Sequence, residues 1–218
     1  EKEKEEYVKM LVDEIRNCPD TVQNYRVISI FFGGGTPSLL TGEQIGRLMD
    51  TVREIFTLDE DAEITMEMNP GTVTEEKLRK YRQAGVNRLS IGLQSVNDEE
   101  LRLLGRIHTY EEFREAYHLA RANGFSNINV DLISAIPGQT VESWRRTLEQ
   151  VMALSPEHIS AYSLILEEGT TFYKKYVEDE AKEGPKLPDE DAERQMYWDT
   201  ETLMEKNGYH RYEISNYA

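Results

Sequence analysis

The chain has 218 residues, 39% of them hydrophobic and 30% charged, which is typical of a soluble globular protein with one sizeable core. Its 41 acidic and 25 basic residues leave a net charge of −16, which disfavours nucleic acid as a partner. No apolar run approaches the ~20 residues needed to cross a bilayer, and no signal-peptide pattern opens the chain. We therefore predict a cytoplasmic protein without a membrane span. The single cysteine, Cys18, excludes an intrachain disulfide framework.

Helix-like and strand-like segments alternate along the chain. The predicted helices are 2–17, 41–55, 74–83, 98–103, 110–123, 140–153 and 189–207. The predicted strands are 26–32, 62–68, 87–93, 126–133, 157–165 and 210–214. Because strands that are separated by helices pair in parallel through right-handed crossovers, this pattern predicts an α/β fold.

Capping residues mark where several of these helices start and stop. Thr41 with Gln44, and Thr109 with Glu112, fit capping boxes, in which two backbone N–H groups are satisfied reciprocally. A glycine follows each of three predicted helices and provides the left-handed turn that ends it. These glycines are Gly85, Gly124 and Gly208.

Three of the strands carry one polar and one apolar face, because side chains two residues apart point the same way. A parallel sheet that is covered on both sides reads instead as continuous apolar runs, so the polar face requires partners or a ligand. We interpret it as the lining of a ligand-binding lumen in a partial (β/α) barrel of about six parallel strands, in preference to a flat doubly wound sheet. The polar positions are Glu63, Thr65, Glu67 and Asn69, then Arg88, Ser90, Gly92 and Gln94, then Asn127, Asn129 and Asp131.

The two ends and one internal segment depart from the regular pattern. The chain begins at Glu1 rather than at a methionine and stops at Ala218 within a strand-like segment. We therefore expect residues 1–218 to be a barrel core that belongs to, or is the ordered part of, something longer. Residues 167–188 are rich in Glu, Lys, Gly and Pro and follow a strand. They are either a lid over the active face of the barrel or a solvated acidic insertion.

A glycine-rich loop, which comprises residues 33–37 and is called the glycine loop below, follows the apolar strand at 27–32. Its sequence is Gly33, Gly34, Gly35, Thr36 and Pro37. Three glycines expose backbone N–H and C=O groups and let a ligand approach closely. There is no lysine for a P-loop and no GxGxxG spacing. A phosphate, an amino group, a carboxylate or a simple tight turn all remain open.

Four side chains stand near the carboxyl ends of strands, where the sites of barrels form. Glu67 suits a ligand ammonium, or bonds to neighbouring backbone. Gln94 offers a donor and an acceptor, which suits a ribose hydroxyl or a carboxylate. Asp131 lies inside a strand and needs ribose hydroxyls, or the Arg88 guanidinium, to offset its burial. Arg106 suits a bidentate contact with a carboxylate, or makes a surface salt bridge.

The histidines and the cysteine do not form a metal site by their spacing. His108 and His118 are ten residues apart, and His158 and His210 stand alone. Any of them has the chemistry to ligate heme, but ordinary packing or surface roles are the simpler interpretation. Cys18 alone cannot hold an iron–sulfur cluster, which needs several thiolates. We assign no catalytic residue and no metal ligand in this chain.

Six motifs in order carry a resemblance to a known family. They are GGGTP (33–37), EMNPGT (67–72), RLSIGLQS (88–95), LGRIH (104–108), NVDLISAIPGQT (129–140) and HISAYSLILEEGT (158–170). Together they resemble the radical S-adenosylmethionine (SAM) superfamily, in the branch that contains oxygen-independent coproporphyrinogen III oxidase and the heme chaperone HemW. The resemblance implies a radical SAM barrel with SAM as its cofactor.

The resemblance also implies a role for each candidate residue. The glycine loop (Gly33, Gly34, Gly35 and Thr36) would hold the methionine amino group of SAM. The amino-acid end would also meet Glu67 and Arg106, the ribose would meet Gln94 and Asp131, and the adenine would lie between Tyr162 and Ile165.

One departure from the family pattern is large, because the CxxxCxxC motif whose thiolates bind a 4Fe-4S cluster is absent. The first strand and the cluster loop of the family are missing with it, so the chain as given is not expected to bind the cluster or to cleave SAM. The ending at 212–218, YEISNYA, favours the chaperone, which binds heme as cargo and passes it to an acceptor protein. The alternatives are radical-initiated decarboxylation of coproporphyrinogen III, a phosphate-binding barrel enzyme, and a degenerate scaffold.

Overall fold

A computed structural model describes residues 2–179 and 184–218. The helices are α1 Lys2–Arg16, α2 Gly42–Ile55, α3 Glu75–Ala84, α4 Asp98–Leu103, α5 Tyr110–Ala122, α6 Val141–Met152, α7 Thr171–Tyr173 and α8 Glu190–Lys206. The strands are β1 Arg26–Phe32, β2 Thr57–Met68, β3 Arg88–Gln94, β4 Asn127–Ser134, β5 His158–Ser163, β6 Arg211–Glu213 and β7 Asn216–Tyr217. All seven predicted helices are confirmed. No helix in the described part of the chain combines the length and the apolar character that a membrane crossing needs.

The predicted capping residues make the contacts that start and stop these helices. The Thr41 side chain accepts from Gln44 N–H, and Thr41 N–H donates to Gln44 Oε1 at 2.9 Å. Thr109 and Glu112 exchange the same pair of bonds at the start of α5. The three glycines have φ angles of 105°, 83° and 87°, in the left-handed region that favours glycine. They are Gly85, Gly124 and Gly208.

The described residues form two compact units. The first contains residues up to Ile91 and Arg114–Ile128, and the second contains Gly92–Phe113 and Asn129–Ala218. In the first unit, β1, β2 and the start of β3 are parallel neighbours, with Ile30 opposite Ile64 and Met66 opposite Leu89. Apolar side chains of α2 and α3 pack into the core of this unit. The core includes Ile45, Leu48, Met49, Ile64, Met66, Leu78, Tyr81 and Leu89.

In the second unit, β4 and β5 pair in parallel. On its other side β5 pairs antiparallel with β7, and β7 pairs antiparallel with β6. The register sets Asn129 opposite His158 and Asp131 opposite Ser160. Helices α6 and α8 pack together, and the buried Trp144 Nε1 donates to Thr200 Oγ1 at 2.9 Å. This unit therefore contains the four paired strands β4, β5, β7 and β6 and a layer of two packed helices.

The predicted strand 210–214 does not continue the sheet as a further parallel strand. The chain instead turns back at Ile214 and Ser215, so that β6 and β7 pair antiparallel. The carboxylate of Glu213 accepts from Ser215 N–H at 3.1 Å and from Asn216 Nδ2 at 2.8 Å. These two bonds close the turn within four residues, a local contact that the strand-like composition of the segment does not reveal.

The segment 167–188 is partly helical rather than a plain loop. Thr170 caps α7, and a π-helical turn at Lys174–Glu178 follows it directly. Farther on, Gly138 N–H donates to Lys186 O at 2.7 Å, which ties the segment to the loop after β4. Residues 180–183 of this segment lie outside the described residues. Its role as a lid stays a prediction, as does a single barrel core over 1–218.

Candidate functional site

The backbone of the glycine loop has a conformation that only glycine adopts readily. Gly34 and Gly35 have φ angles of 79° and 62°, and nothing lies within 4 Å of the Cβ that a larger residue would add at either position. At Gly33 an added Cβ would lie 2.4 Å from the Phe31 ring. The strand β1 therefore ends in a loop that has open space on the Cβ side of Gly34 and Gly35.

The structure brings Glu67 onto this loop. Glu67 is at the end of β2, and its Oε2 accepts a hydrogen bond from Gly34 N–H at 3.0 Å. A Cβ at Gly33 would lie 3.2 Å from the Glu67 carboxyl carbon. Of the two roles that the sequence left open for Glu67, the structure thus shows the bond to neighbouring backbone. The same carboxylate faces the loop where an ammonium group could be held.

Buried hydrogen bonds fix the segment that follows the glycine loop. The buried Ser38 hydroxyl accepts from Thr72 Oγ1 at 2.7 Å, and Lys77 Nζ donates to Ser38 O at 2.7 Å. Burial lowers the pKa of Lys77. Tyr81 Oη donates to Leu40 O at 2.7 Å, and burial raises the pKa of this phenol to about 12. The segment after the loop is therefore anchored on one side by hydrogen bonds to Thr72, Lys77 and Tyr81.

A cavity of about 340 Å³ lies against the glycine loop within the first unit. Side chains of α1 and of the turn after the loop form most of its wall. Its charged group is Lys4, whose Nζ also donates to Leu39 O at 3.2 Å. The wall includes Tyr7, Leu11, Phe32, Leu39, Leu40 and Leu48. The cavity is mostly apolar, in contrast to the exposed backbone beside it.

In the second unit, Arg106 is half-buried and held by the strand β3. Its Nη2 donates to Gly92 O at 3.1 Å, and its buried Nε has no hydrogen-bond partner within residues 2–179 and 184–218. Burial lowers the pKa of Arg106, and the nearby Tyr162 and Asp131 act in the opposite direction. A buried donor without a partner is rare, so the guanidinium is arranged to meet an acceptor such as a carboxylate. The surface salt bridge is the weaker interpretation.

Gln94 and Tyr162 form the second contact in this unit. Tyr162 Oη, at the end of β5, donates to Gln94 Oε1 at 3.4 Å. Gln94 is buried and has a φ of 75°, an uncommon conformation for a residue other than glycine. Such strain is tolerated where the surroundings hold the residue in place, and it is enriched at binding sites.

Asp131 and Ile165 complete the predicted residues of the second unit. Asp131 is half-buried on β4, and its Oδ1 accepts from Asn129 Nδ2 at 2.8 Å. Ile165 follows β5 and is 78% exposed, which leaves its side chain free to cover a flat ring. We call Gln94, Arg106, Asp131 and Tyr162 the strand-end cluster. That this cluster and the glycine loop line one lumen stays a prediction.

Sequence reasoning missed the buried groups that support the strand-end cluster. The buried Glu100 on α4 accepts from Ser95 Oγ at 2.6 Å, Gln139 Nε2 at 2.9 Å and Ser143 Oγ at 2.9 Å. It thereby joins the segments that follow β3 and β4. In the sequence, Glu100 is one of three consecutive acidic residues at the start of α4. It differs from the other two in being on the buried face of the helix, which the sequence does not show.

Two of the four histidines are buried and two are exposed. His108 is buried, its Nε2 lies 3.3 Å from Leu93 O, and burial lowers the pKa of the ring. His158 is buried in a hydrogen-bond network of β4 and β5. His118 and His210 are exposed. For all four, a place in the packing or on the surface is therefore a better interpretation than ligation of heme.

The described residues suit SAM but not its usual partner cluster. Cys18 is a free, half-buried thiol, and residues 2–179 and 184–218 contain no group of three or more His, Cys, Asp or Glu side chains that could hold a metal ion. These residues therefore offer no ligand set for a 4Fe-4S cluster. The bare backbone of the glycine loop and the orphaned Arg106 Nε do suit the polar groups of SAM.

Residues 2–151 match the sequence profile of the Radical SAM superfamily. Among curated proteins, the heme chaperone HemW of Escherichia coli is 41% identical over 214 residues, and HemW of Haemophilus influenzae is 40% identical over 205 residues. These alignments cover 98% and 94% of this chain, but only 54% and 51% of the relatives. The mitochondrial radical S-adenosyl methionine domain-containing protein 1 of Danio rerio is 38% identical over 88% of this chain and 43% of its own length.

A solved structure agrees with this assignment. Coproporphyrinogen III oxidase (HemN) from Escherichia coli, a radical SAM enzyme, superimposes with a TM-score of 0.85 at 30% identity, over 98% of this chain and 48% of the enzyme. The archaeal Elp3 of Methanocaldococcus infernus shares the fold at 19% identity, with a TM-score of 0.65 over 82% of this chain and 45% of that one. The predicted fold class, an α/β partial barrel of mostly parallel strands, is confirmed. The chain spans about half the length of the curated relatives and of the enzyme.

Proposed function

Because this chain belongs to the radical SAM superfamily, we propose that it is the SAM-binding core of a HemW-like heme chaperone, which binds heme and transfers it to an acceptor protein. The observation that carries the proposal is the 40–41% identity to two bacterial HemW proteins over at least 94% of this chain. The ending YEISNYA, which is the β6–β7 hairpin, agrees with this branch.

The first unit would meet the methionyl end of SAM. The glycine loop offers main-chain groups of Gly33, Gly34 and Gly35, and Thr36 adds a hydroxyl. Glu67 supplies a negative charge against the loop, which suits the α-ammonium group. To make that contact, the Glu67 carboxylate would either give up the hydrogen bond that it accepts from Gly34 N–H or accept a second one from the ammonium group.

The second unit would meet the carboxylate, the ribose and the adenine. Arg106 has a planar, permanently charged fork and a buried donor without a partner, which suits the α-carboxylate. Gln94 and Asp131 offer acceptors to ribose hydroxyls. Tyr162 and the exposed Ile165 offer apolar faces for the adenine ring.

Superfamily membership implies a 4Fe-4S cluster in addition to SAM. Because the described residues lack a ligand set for it, we derive no radical step for this chain. SAM binding is the activity that this chain's own residues can support, and heme binding, the acceptor and a cytoplasmic location stay predictions.

The second candidate is oxidative decarboxylation of coproporphyrinogen III by the whole protein. The observation that favours it is the TM-score of 0.85 to the Escherichia coli oxidase. The chaperone ranks first, because identity to HemW exceeds the 30% identity to the oxidase over a similar share of the chain.

Two assays on the natural polypeptide that contains this sequence separate the candidates. The first is a heme titration followed by absorbance, and the second is the decarboxylation of coproporphyrinogen III under anaerobic conditions with SAM. Saturable stoichiometric heme binding without turnover supports the chaperone. Turnover of coproporphyrinogen III would overturn the proposal in favour of the oxidase.

A further inference from the structure

We propose that His158 is a positioning residue for Asp131. Through Asn129, His158 fixes the Asp131 carboxylate in the orientation in which it meets the ligand. The inference rests on the proposed function, because that function assigns the ribose of SAM to Asp131. It adds a network of buried side chains in the second unit to the set of groups on which binding depends.

A continuous series of hydrogen bonds joins the C-terminal hairpin to Asp131. Tyr212 Oη on β6 lies 2.7 Å from His158 Nε2, and His158 Nδ1 lies 2.5 Å from Asn129 Oδ1. Asn129 Nδ2 then donates to Asp131 Oδ1 at 2.8 Å. Asn129 is 3% exposed and His158 is 8% exposed, so solvent does not substitute easily for these bonds.

The sheet register brings these side chains together. Asn129 and Asp131 are two residues apart on β4 and share a face, and Asn129 is directly opposite His158 on β5. Ser160, opposite Asp131, lies 3.2 Å from Asn129 Oδ1 and 2.9 Å from Asn216 Oδ1 on β7. With Tyr212 on β6, the network is therefore built on four adjacent strands, β4, β5, β7 and β6.

The chemistry of the groups gives the network one direction. An ionised carboxylate only accepts hydrogen bonds, so the amide nitrogen of Asn129 must face Asp131. Asn129 Oδ1 then faces His158 and accepts, which requires a proton on His158 Nδ1. In the neutral ring, Nε2 is left to accept from Tyr212 Oη.

The role of His158 becomes clear if the side-chain amide of Asn129 is turned by 180°, so that its oxygen and nitrogen exchange places. This reversal would set the Asn129 oxygen against the Asp131 carboxylate, where two acceptors repel each other. His158 with Nδ1 protonated disfavours that reversal, because the Asn129 nitrogen would then face another donor. The histidine therefore holds the amide, and the amide holds the carboxylate.

Two substitutions of His158 separate this role from simple filling of space. His158→Asn places an amide donor near the position of Nδ1, whereas His158→Gln reaches toward the position of Nε2. We expect His158→Asn to bind SAM within about threefold of wild type, and His158→Gln to bind about tenfold more weakly, in isothermal titration. His118→Gln, at an exposed histidine, is the matched control and should bind like wild type.

A double-mutant cycle tests whether the effect passes through Asp131. If it does, His158→Gln should weaken binding in the wild type but add no further loss to Asp131→Ala. An equal loss in both backgrounds would overturn the inference, and so would wild-type affinity in His158→Gln. Thermal unfolding of each variant identifies any that fail to fold. If a variant does not fold, the NMR signals of His158 in the wild type test the inference instead.

NMR of the ligand-free chain gives a readout that does not depend on SAM. We expect the ¹⁵N pattern of a neutral, Nδ1-protonated His158 ring and slow exchange of the Asn129 side-chain amide protons, with fast exchange in His158→Gln. An Nε2-protonated neutral ring would overturn the inference whatever the affinity for SAM. If wild type does not bind SAM although the NMR results are as expected, the proposed function fails while the positioning of Asp131 by His158 stands.

Discussion

The glycine loop of the first unit and the strand-end cluster of the second present binding groups in opposite ways. The loop offers main chain, and its conformation follows from φ angles of 79° and 62° at Gly34 and Gly35. The cluster offers side chains, and each is held by another part of its unit. Arg106 is held by Gly92 O, and Gln94 is contacted by Tyr162. A backbone site is therefore specified locally, whereas a side-chain site depends on the packing around it.

This difference predicts that substitutions remote from the ligand will damage the strand-end cluster more than the loop. Glu100→Ala should have the largest effect on stability, about 3 kcal/mol, because three donors lose a buried acceptor. The free energy of unfolding in urea measures it. Glu99→Ala, at the exposed neighbouring position, is the control and should change stability by less than about 1 kcal/mol. Equal effects of the two substitutions would show that Glu100 does not hold the segments together.

A methyl group added beneath the cluster should impair SAM binding more than it impairs folding. In Gly92→Ala the new Cβ would lie 2.7 Å from Arg106 Nη2 and 3.0 Å from Gln94 Nε2, so both side chains must move. We expect SAM to bind about tenfold more weakly by isothermal titration. Gly46→Ala, in α2 with nothing within 4 Å of the new Cβ, is the control. It should leave binding unchanged and raise stability by about 0.5–1 kcal/mol.

The helices and the glycine loop could be predicted because their signals are local. Thr41 and Gln44 cap α2 within four residues, and Gly85 ends α3 by its own φ angle. The start of β2 at Thr57 rather than at residue 62 was not predictable in this way. The acidic stretch after Thr57 has a low intrinsic tendency to form a strand. It is nevertheless a strand in the structure, because β1 pairs with it and Arg26 lies 3.3 Å from Asp59.

The supporting side chains of the candidate site were not predictable either, because their contacts join residues that are far apart in the sequence. His158 and Asn129 are 29 residues apart, and Gln139 and Glu100 are 39 apart. Their contacts follow from strand register and helix rotation, which the residue pattern leaves open. The candidate site residues were predicted from their places at strand ends, and their contact with a ligand stays a prediction. The residues that hold them become visible only in the fold.

Acid should lower the stability of the folded chain through His108. Burial lowers the pKa of this ring from its ordinary value of 6.5, so below pH 6.5 the unfolded chain binds a proton that the folded chain resists. Stability should therefore fall as the pH drops from 6.5 toward the folded pKa. We expect unfolding in urea at pH 7 and pH 5 to show a larger loss in wild type than in His108→Gln. His118→Gln is the control and should lose as much as wild type, and a loss in His108→Gln equal to that of wild type would contradict the assignment.

The smallest effect is expected in the glycine loop itself. In Gly33→Ala the new Cβ would meet the Phe31 ring, but this ring is 60% exposed and can rotate away. We expect a loss of stability below about 1 kcal/mol and a change in SAM affinity smaller than that of Gly92→Ala. Titrations of the two variants side by side test the ordering. A larger loss of affinity in Gly33→Ala would reverse the comparison between backbone and side-chain sites.

The binding of SAM to this chain and to its Arg106→Lys variant, by isothermal titration, tests the central claim most directly. The account predicts saturable binding to wild type. It predicts binding about tenfold weaker in the variant, because lysine keeps the charge but loses the planar fork. Absence of binding to the folded wild-type chain, or equal affinity in the two proteins, would contradict the account.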